Sequence, residues 1–184
     1  KDSGDIYIGA GTVFSHITAD PIIQECVPVL GEAVDQVGGP QIRNIGTIGG
    51  NICNGAVSAD SVPTVFSYNA LLKIANAEGG RTVPVREFYL GPGCVDLHPG
   101  EVLTHVIIPR AEYEGYHGHY IKYSMRNAMD IATLSCSVVS RIDSAKNILE
   151  DVRITFGVAA PVPYRCEKTE EALRGMKIGR SEER

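Results

Sequence analysis

The chain has 184 residues, 43% of them hydrophobic, which is enough for one substantial core or two small ones. Its formal net charge of -5 argues against a nucleic-acid partner, because proteins that bind phosphate backbones carry an excess of Lys and Arg. No apolar run approaches the roughly 18 residues that a membrane helix needs, so we expect no membrane partner either.

The first forty residues predict a strand followed by helices. Residues 5–10 (DIYIGA) alternate polar and apolar side chains as a half-buried strand does, and a short helix is expected from Val13. A helical pattern begins at Pro21 and ends at the Gly38-Gly39-Pro40 segment. Its apolar positions fall on one face, at i, i+3, i+4 and i+7: Leu30, Ala33, Val34 and Val37.

Residues 41–61 are rich in Gly, Asn and Ser and show no periodicity, which predicts a functional loop. A short helix is expected around Pro63, capped by Asp60 or Ser61. Residues 71–75 and 81–85 predict a hairpin, and residues 102–108 predict a further strand.

Residues 110–118 have the charges and glycines of a linker, and the pattern changes after them. Three β-rich segments then predict an antiparallel meander, and a helix is expected to begin at Lys168; the segments are 120–125, 132–142 and 152–159. We therefore predict an α+β chain of two units, 1–110 and 111–184. Because the chain starts at Lys1 and the second unit looks short, we interpret the sequence as a fragment.

The loop IRNIGTIGGNICNGAVSAD carries glycines at 46, 49, 50 and 55. Glycine allows a backbone to approach a ligand closely, so consecutive N–H groups can point into one anion-binding concavity. The helix at Pro63 would add its positive N-terminal end, while Asp60 suits a hydroxyl or a ring N–H. The alternative is that these glycines only permit tight turns. The spacing does not decide between the two, because neither GxGxxG nor GKS/T is present.

The string QIRNIGTIGGNICNGAVSADSVP resembles the second FAD-contacting segment of flavoproteins of the vanillyl-alcohol-oxidase (PCMH) type. It is most similar to FAD-binding subunits of molybdenum hydroxylases of the bacterial xanthine dehydrogenase type. Four further strings resemble that family in the same order: LGPG at 90–93, LHPGEVL at 97–103, YIKYSMRNAMDIAT at 120–133 and FGVAAPVPYRC at 156–166. The resemblance implies a second FAD subdomain followed by an incomplete C-terminal subdomain like that of CO dehydrogenase flavoproteins.

The resemblance also implies a set of FAD-contacting residues. Those expected near the pyrophosphate and the flavin side are Thr47, Gly49, Gly50 and Asn51. The others expected against the cofactor are Gly38, Cys53, Asp60, Leu97 and Lys122. Lys122 would stabilise negative charge on the reduced flavin, and its alternative is an ordinary strand lysine facing water. Residues 126–130 match a mobile stretch near the flavin, and no residue is expected to be catalytic.

The family's function implies an electron-transfer chain across subunits. Electrons would come from a molybdopterin centre through 2Fe-2S clusters on partner subunits to FAD, which would reduce NAD. The partners would be a molybdopterin-binding subunit and an iron-sulfur subunit. The alternatives are the flavoprotein subunit of carbon monoxide dehydrogenase or of another hydroxylase, and, in another class, a non-catalytic binding or assembly module.

The family's other glycine loop, an AGGTD-like segment, would lie upstream of Lys1, and the GAGT string at 9–12 resembles a later segment instead. We therefore expect the fragment alone to hold FAD poorly and to be inactive. Five cysteines without a CxxC pair indicate reduced thiols of a cytoplasmic protein. His117 and His119 share one side of a predicted strand, but without a nearby third ligand we predict a solvated edge and no metal.

Overall fold

The computed structural model describes residues 4–179, and the charged end of the sequence after Gly179 lies outside this range. Its helices are α1 (Phe14–Ala19), α2 (Pro21–Cys26), α3 (Pro28–Asp35), α4 (Pro40–Arg43), α5 (Ile48–Cys53), α6 (Ser61–Ser67), α7 (Val85–Phe88), α8 (Arg110–Tyr113) and α9 (Glu167–Leu173). Its strands are β1 (Ile6–Gly9), β2 (Leu71–Asn76), β3 (Gly79–Pro84), β4 (Tyr89–Gly91), β5 (Cys94–Val95), β6 (Val102–Ile108), β7 (His117–Tyr123), β8 (Leu134–Asp143), β9 (Ile148–Gly157) and β10 (Tyr164–Arg165).

Two antiparallel sheets organise these elements. The first has the strand order β1-β6-β2-β3, and the second has the order β10-β9-β8-β7. Strands β7, β8 and β9 are consecutive and neighbouring, so the predicted meander is confirmed, and so is the α+β class. Strands β4 and β5 form a separate small ribbon.

The β2–β3 hairpin is the predicted one, and its turn follows from local chemistry. Asn76 and Gly79 face each other across the turn, and the Asn76 side chain accepts a hydrogen bond from the Glu78 amide at 2.9 Å. An asparagine that bonds the backbone two residues later favours such a turn. Gly79 has a φ of 154°, which suits a residue without a side chain.

The predicted helical segment before Gly38 is divided into α2 and α3, each starting with a proline at its first turn. Asp20 caps α2, because its Oδ1 accepts the Ile22 amide at 2.8 Å. The predicted apolar face of α3 is fully buried at Leu30, Ala33 and Val34, as expected.

The irregular conformation predicted for two segments was wrong, because both contain helices, while the functional role of the first and the unit boundary at the second stay predictions. Residues 41–61 include the end of α4 and all of α5, and the supposed linker 110–118 contains α8 and the start of β7. In both places the chain packs against distant residues; the Asn69 side chain, for example, donates to Glu112 on α8 at 2.8 Å. Contacts of this kind outweigh local propensity.

Helices α3 and α6 lie against the second sheet, and α6 also packs against α5, which contacts β6 of the first sheet. Every residue of α6 is buried, and α6 packs against β8 and β9 while α3 packs against β7. Tyr116, Tyr120 and Val139 therefore belong to the same apolar core as residues of the first sheet. The division into units 1–110 and 111–184 stays a prediction.

Candidate functional site

Helix α5 carries the first group of predicted site residues. Thr47 precedes it in an extended conformation, and its Oγ1 accepts a hydrogen bond from the Gly50 amide at 3.1 Å, which starts the helix. A Cβ at Gly49 would lie 2.7 Å from the Ala10 carbonyl oxygen, so only glycine lets α5 pack this closely on the end of β1.

The amides of α5 do not converge on an open concavity, which corrects the expectation drawn from the glycines. The Ile48 amide donates to Thr12 O at 3.1 Å, the Gly49 amide donates to Ala10 O at 2.9 Å, and the Gly50 amide is bound by Thr47. The first turn of α5 is therefore satisfied inside the protein. Gly50 itself is exposed, so a ligand can still reach this end of α5.

Asn51 joins α5 to the next helix. Its Oδ1 accepts a hydrogen bond from the Ser61 hydroxyl at 2.7 Å, and Ser61 is the first residue of α6. Asp60 directly precedes Ser61, so this bond places Asn51 close to Asp60, another of the predicted site residues. Asn51 is half-buried, and its side-chain Nδ2 is a further hydrogen-bond donor at this position of α5.

Asp60 occupies the N-cap position of α6, but its side chain does not cap the helix. Its Oδ1 accepts from the Tyr120 hydroxyl at 2.7 Å, and its Oδ2 accepts from the Lys122 ammonium at 2.8 Å. Burial raises the pKa of the Asp60 carboxyl, and the hydrogen bonds from Lys122 and Tyr120 act in the opposite direction. The carboxylate is thus committed to a buried ion pair.

Lys122 lies at the wall of a cleft that has a volume of about 530 Å³. Its ammonium also donates to the carbonyl oxygen of Gln36 at 2.9 Å, and its side chain is only 6% exposed. Gly38 lines the same cleft and has a φ of 49°. The structure therefore brings Gly38, Asp60 and Lys122 together, and the ordinary water-facing strand lysine is excluded for Lys122.

Residues 124–130 close one side of the cleft. Asp130 holds this segment, because its carboxylate accepts from the Arg126 amide at 2.9 Å, and the Ser124 hydroxyl donates to Arg126 O at 2.7 Å. Met125 is 82% exposed and Met129 is 64% exposed. The segment thus presents flexible apolar side chains beside a polar wall.

Cys53 and Leu97 lie away from the cleft. The Tyr89 hydroxyl donates to Ile52 O at 3.0 Å, and the Gly93 amide donates to Gly55 O at 3.0 Å, which ties the end of α5 to the β4–β5 ribbon. Cys53 and Leu97 pack half-buried against the core in this region. Burial raises the pKa of the Cys53 thiol. Contact of the predicted residues with a cofactor stays a prediction.

Tyr120 and Gln36 also belong to this arrangement, and neither was predicted as a site residue. Tyr120 lies in the string at 120–133 that resembles the family. The available signal was the strand period of two, which places Tyr120 and Lys122 on the same face of β7. Gln36 contributes only its backbone carbonyl, so no feature of its side chain indicates the contact.

His117 and His119 lie exposed on β7, which is an edge strand of the second sheet. The Nδ1 atom of His119 is 2.8 Å from a carboxylate oxygen of Glu32. Within residues 4–179 we find no group of three side chains arranged to bind a metal ion. None of the helices in that range has the length and apolar character needed to cross a membrane.

Comparison with known proteins gives two family matches. Residues 1–111 match the FAD binding domain in molybdopterin dehydrogenase, and residues 119–183 match the CO dehydrogenase flavoprotein C-terminal domain. The chain is 42% identical over 177 residues to the xanthine dehydrogenase FAD-binding subunit of Escherichia coli O157:H7, an alignment that covers 96% of the chain and 60% of that protein.

Other relatives carry the name of a different dehydrogenase. The chain is 33% identical to the carbon monoxide dehydrogenase medium chain of Hydrogenophaga pseudoflava, over 95% of the chain and 60% of that protein. A solved carbon monoxide dehydrogenase from the same organism superposes with a TM-score of 0.90 at 31% identity, covering 98% of the chain and 61% of that structure. The chain spans about 60% of the length of these relatives. From its first 111 residues and this fold, the chain belongs to the family of FAD binding domains of molybdopterin dehydrogenases.

Proposed function

We propose that the chain is part of the FAD-binding electron-transfer subunit of a molybdenum hydroxylase of the xanthine dehydrogenase type. Electrons would arrive from the 2Fe-2S clusters of an iron-sulfur subunit, which receives them from a molybdopterin-binding subunit, and NAD would accept them from FAD. The observation that carries the proposal is the buried Lys122–Asp60 pair at the wall of the cleft, inside a chain that belongs to an FAD-binding family.

The residues around the cleft fit a flavin. A flavin ring has polar edges and apolar faces, so its site needs hydrogen-bond donors beside apolar side chains. Lys122 supplies a cationic donor, and Met129 supplies apolar surface next to it. Gly38 lies on the same wall, and a Cβ there would lie 3.0 Å from the Ile42 side chain. Thr47, Gly50 and Asn51 are proposed to contact the remaining part of FAD along α5.

Bound FAD would supply the two-electron chemistry, and the side chains of this chain would tune it. The Lys122 ammonium would stabilise negative charge that accumulates in the cleft on reduction. Because Asp60 and Gln36 already hold this ammonium, it needs little reorganisation when the charge appears. This preorganisation is the protein's contribution to the electron-transfer step.

The rival within the family is the flavoprotein subunit of carbon monoxide dehydrogenase or of another hydroxylase. The higher identity to the xanthine dehydrogenase subunit, 42% against 33%, favours the first assignment. Co-purification of the intact subunit with its partners would decide between them, because the substrate reacts on the molybdenum-containing subunit. A non-catalytic assembly module would contain no flavin.

Flavin content of the intact subunit tests the proposal. We expect the wild-type subunit to contain FAD, and Asn51→Ala to weaken FAD binding about tenfold through loss of a donor and of the bond to Ser61. The control is Asn54→Ala, three residues further on, where the side chain is exposed. Equal FAD affinity in the Asn51 variant and wild type would remove α5 from the cofactor site.

The flavin midpoint potential tests the role of Lys122. Lys122→Met is expected to lower the two-electron potential by about 30–60 mV, because a charge-assisted hydrogen bond worth roughly 1.5–3 kcal/mol to the reduced state is lost. Spectroelectrochemical titration of the intact subunit measures this shift. Lys73→Met removes an exposed lysine of β2 and should leave the potential unchanged. An unaltered potential in the Lys122 variant would contradict its proposed role.

A further inference from the structure

Tyr120 is a buried residue whose polar end faces the candidate site. It lies on β7 two residues before Lys122, and successive odd or even positions of a strand share a face. Its side chain is 1% exposed, and its hydroxyl donates to Asp60 Oδ1 at 2.7 Å. A buried tyrosine hydroxyl needs a hydrogen-bond partner, and here that partner is the carboxylate that also binds Lys122.

The Tyr120 hydroxyl and the Lys122 ammonium bind different oxygens of the same carboxylate. Tyr120 binds Oδ1 and Lys122 binds Oδ2, at 2.7 and 2.8 Å respectively. With both oxygens engaged, the plane of the Asp60 carboxylate cannot turn without breaking one of the two bonds. The position of Oδ2, and with it the position of the ammonium, therefore depends on the Tyr120 hydroxyl.

The Lys122 ammonium has three N–H donors. Asp60 Oδ2 and the Gln36 carbonyl oxygen are its partners within residues 4–179, at 2.8 and 2.9 Å. These two bonds leave one donor for a group in the cleft, whose wall Lys122 forms. The direction of that donor is set by the other two bonds, because the three hydrogens of an ammonium are fixed relative to one another.

The rest of Tyr120 is held independently of its hydroxyl. Its backbone amide donates to Glu32 Oε2 on α3 at 3.2 Å, and its ring is packed in the shared core. Burial raises the pKa of the Tyr120 phenol far above its usual value, so the hydroxyl remains a donor at physiological pH. Removal of the hydroxyl alone therefore leaves the strand and the ring in place.

We propose that Tyr120 is a positioning residue: by fixing the Asp60 carboxylate, its hydroxyl holds the Lys122 ammonium so that one N–H donor is available to the flavin. The inference rests on the proposed function, since it requires FAD in the cleft. It assigns to a tyrosine on the sheet, rather than to the glycine segment, part of the control over the stability of the reduced cofactor.

The test is Tyr120→Phe in the intact flavoprotein subunit, with dissociation constants measured for oxidised and for reduced FAD. We expect affinity for oxidised FAD to change by less than about twofold and affinity for reduced FAD to fall about three- to tenfold. The midpoint potential must fall accordingly. In a Lys122→Met background, Tyr120→Phe should cause no further fall, because the residue acts through that ammonium.

Tyr116→Phe is the matched control. Tyr116 is also buried, and its hydroxyl also donates to a carboxylate, that of Asp151, at 2.6 Å, but Asp151 pairs with Arg153 and Arg174 and not with Lys122. The Tyr116→Phe subunit should lose about as much unfolding free energy as the Tyr120→Phe subunit, without a selective effect on its affinity for reduced FAD. Equal affinity losses for both redox states of FAD in Tyr120→Phe, or no loss, would overturn the inference. Absence of FAD from the wild-type subunit would instead overturn the proposed function.

Discussion

Replacement of Asp60 by alanine is expected to lower the free energy of unfolding by about 3 kcal/mol, because it leaves the Lys122 ammonium buried without its anionic partner. The two side chains are 7% and 6% exposed, so water replaces the lost contact poorly. The Tyr120 hydroxyl loses its acceptor as well. Urea unfolding of the intact subunit without added FAD measures the change in free energy.

The double variant Asp60→Ala/Lys122→Met separates an ion-pair effect from a packing defect. Removal of both charges should restore most of the lost stability, because no unpaired charge then remains in the interior. The midpoint potential of bound FAD should stay low in both variants, since neither contains the proposed cationic donor in its place. Losses that simply add up in the double variant would show that Asp60 and Lys122 are not coupled.

Much of the fold could be predicted from local patterns. The β2–β3 hairpin follows from Asn76 and the glycines after it, and β8 and β9 follow from β-rich runs separated by turn residues. The buried face of α3 follows from its helical period. These features depend on residues that are close in sequence, and for that reason they can be predicted from a single sequence.

Helix α5 could not be predicted in the same way. Two consecutive glycines are poor helix formers, and they indicated a loop that binds anions through its amides. The structure shows that Gly49 is needed for contact with Ala10, thirty-nine residues earlier in the chain, and that the amide of Gly49 is used in that contact. A contact at that separation has no local signature.

The site itself was predicted as a set of residues but not as an arrangement. Resemblance indicated Asp60 and Lys122 separately, with Asp60 expected to hold a polar edge of FAD. The structure pairs them across sixty-two positions and adds Tyr120 and the Gln36 carbonyl. Lys122 lines the cleft, and contact of Asp60 with FAD stays a prediction.

A second buried ion pair lies where α9 packs against β9 and where β10 contacts α6. Arg165 binds both carboxylate oxygens of Glu170 at 2.7 Å and also donates to the Asn69 side chain at 3.0 Å and to Phe66 O at 3.3 Å. Glu170 in turn accepts the Ile154 amide at 2.7 Å. Both charged side chains are less than a tenth exposed.

Arg165→Met is therefore expected to cost about 3–5 kcal/mol of unfolding free energy, because a buried carboxylate loses its bidentate partner. The Phe66 carbonyl at the end of α6 loses a donor at the same time. Since α6 also carries Asp60 at its other end, we expect the variant to weaken FAD binding in proportion to its loss of stability, without a selective effect on the reduced form.

Arg86→Met is the matched control for this prediction. Arg86 pairs with Glu167 of the same helix α9, but the two side chains are 40% and 63% exposed. An exposed pair of this kind contributes less than about 1 kcal/mol, so this variant should unfold almost as the wild type does. Similar losses in the two variants would mean that burial is not what makes the Arg165–Glu170 pair important. A large loss confined to Arg165→Met would show that the contacts of Arg165 with α6 and α9 depend on a buried charge that must keep its ion-pair partner.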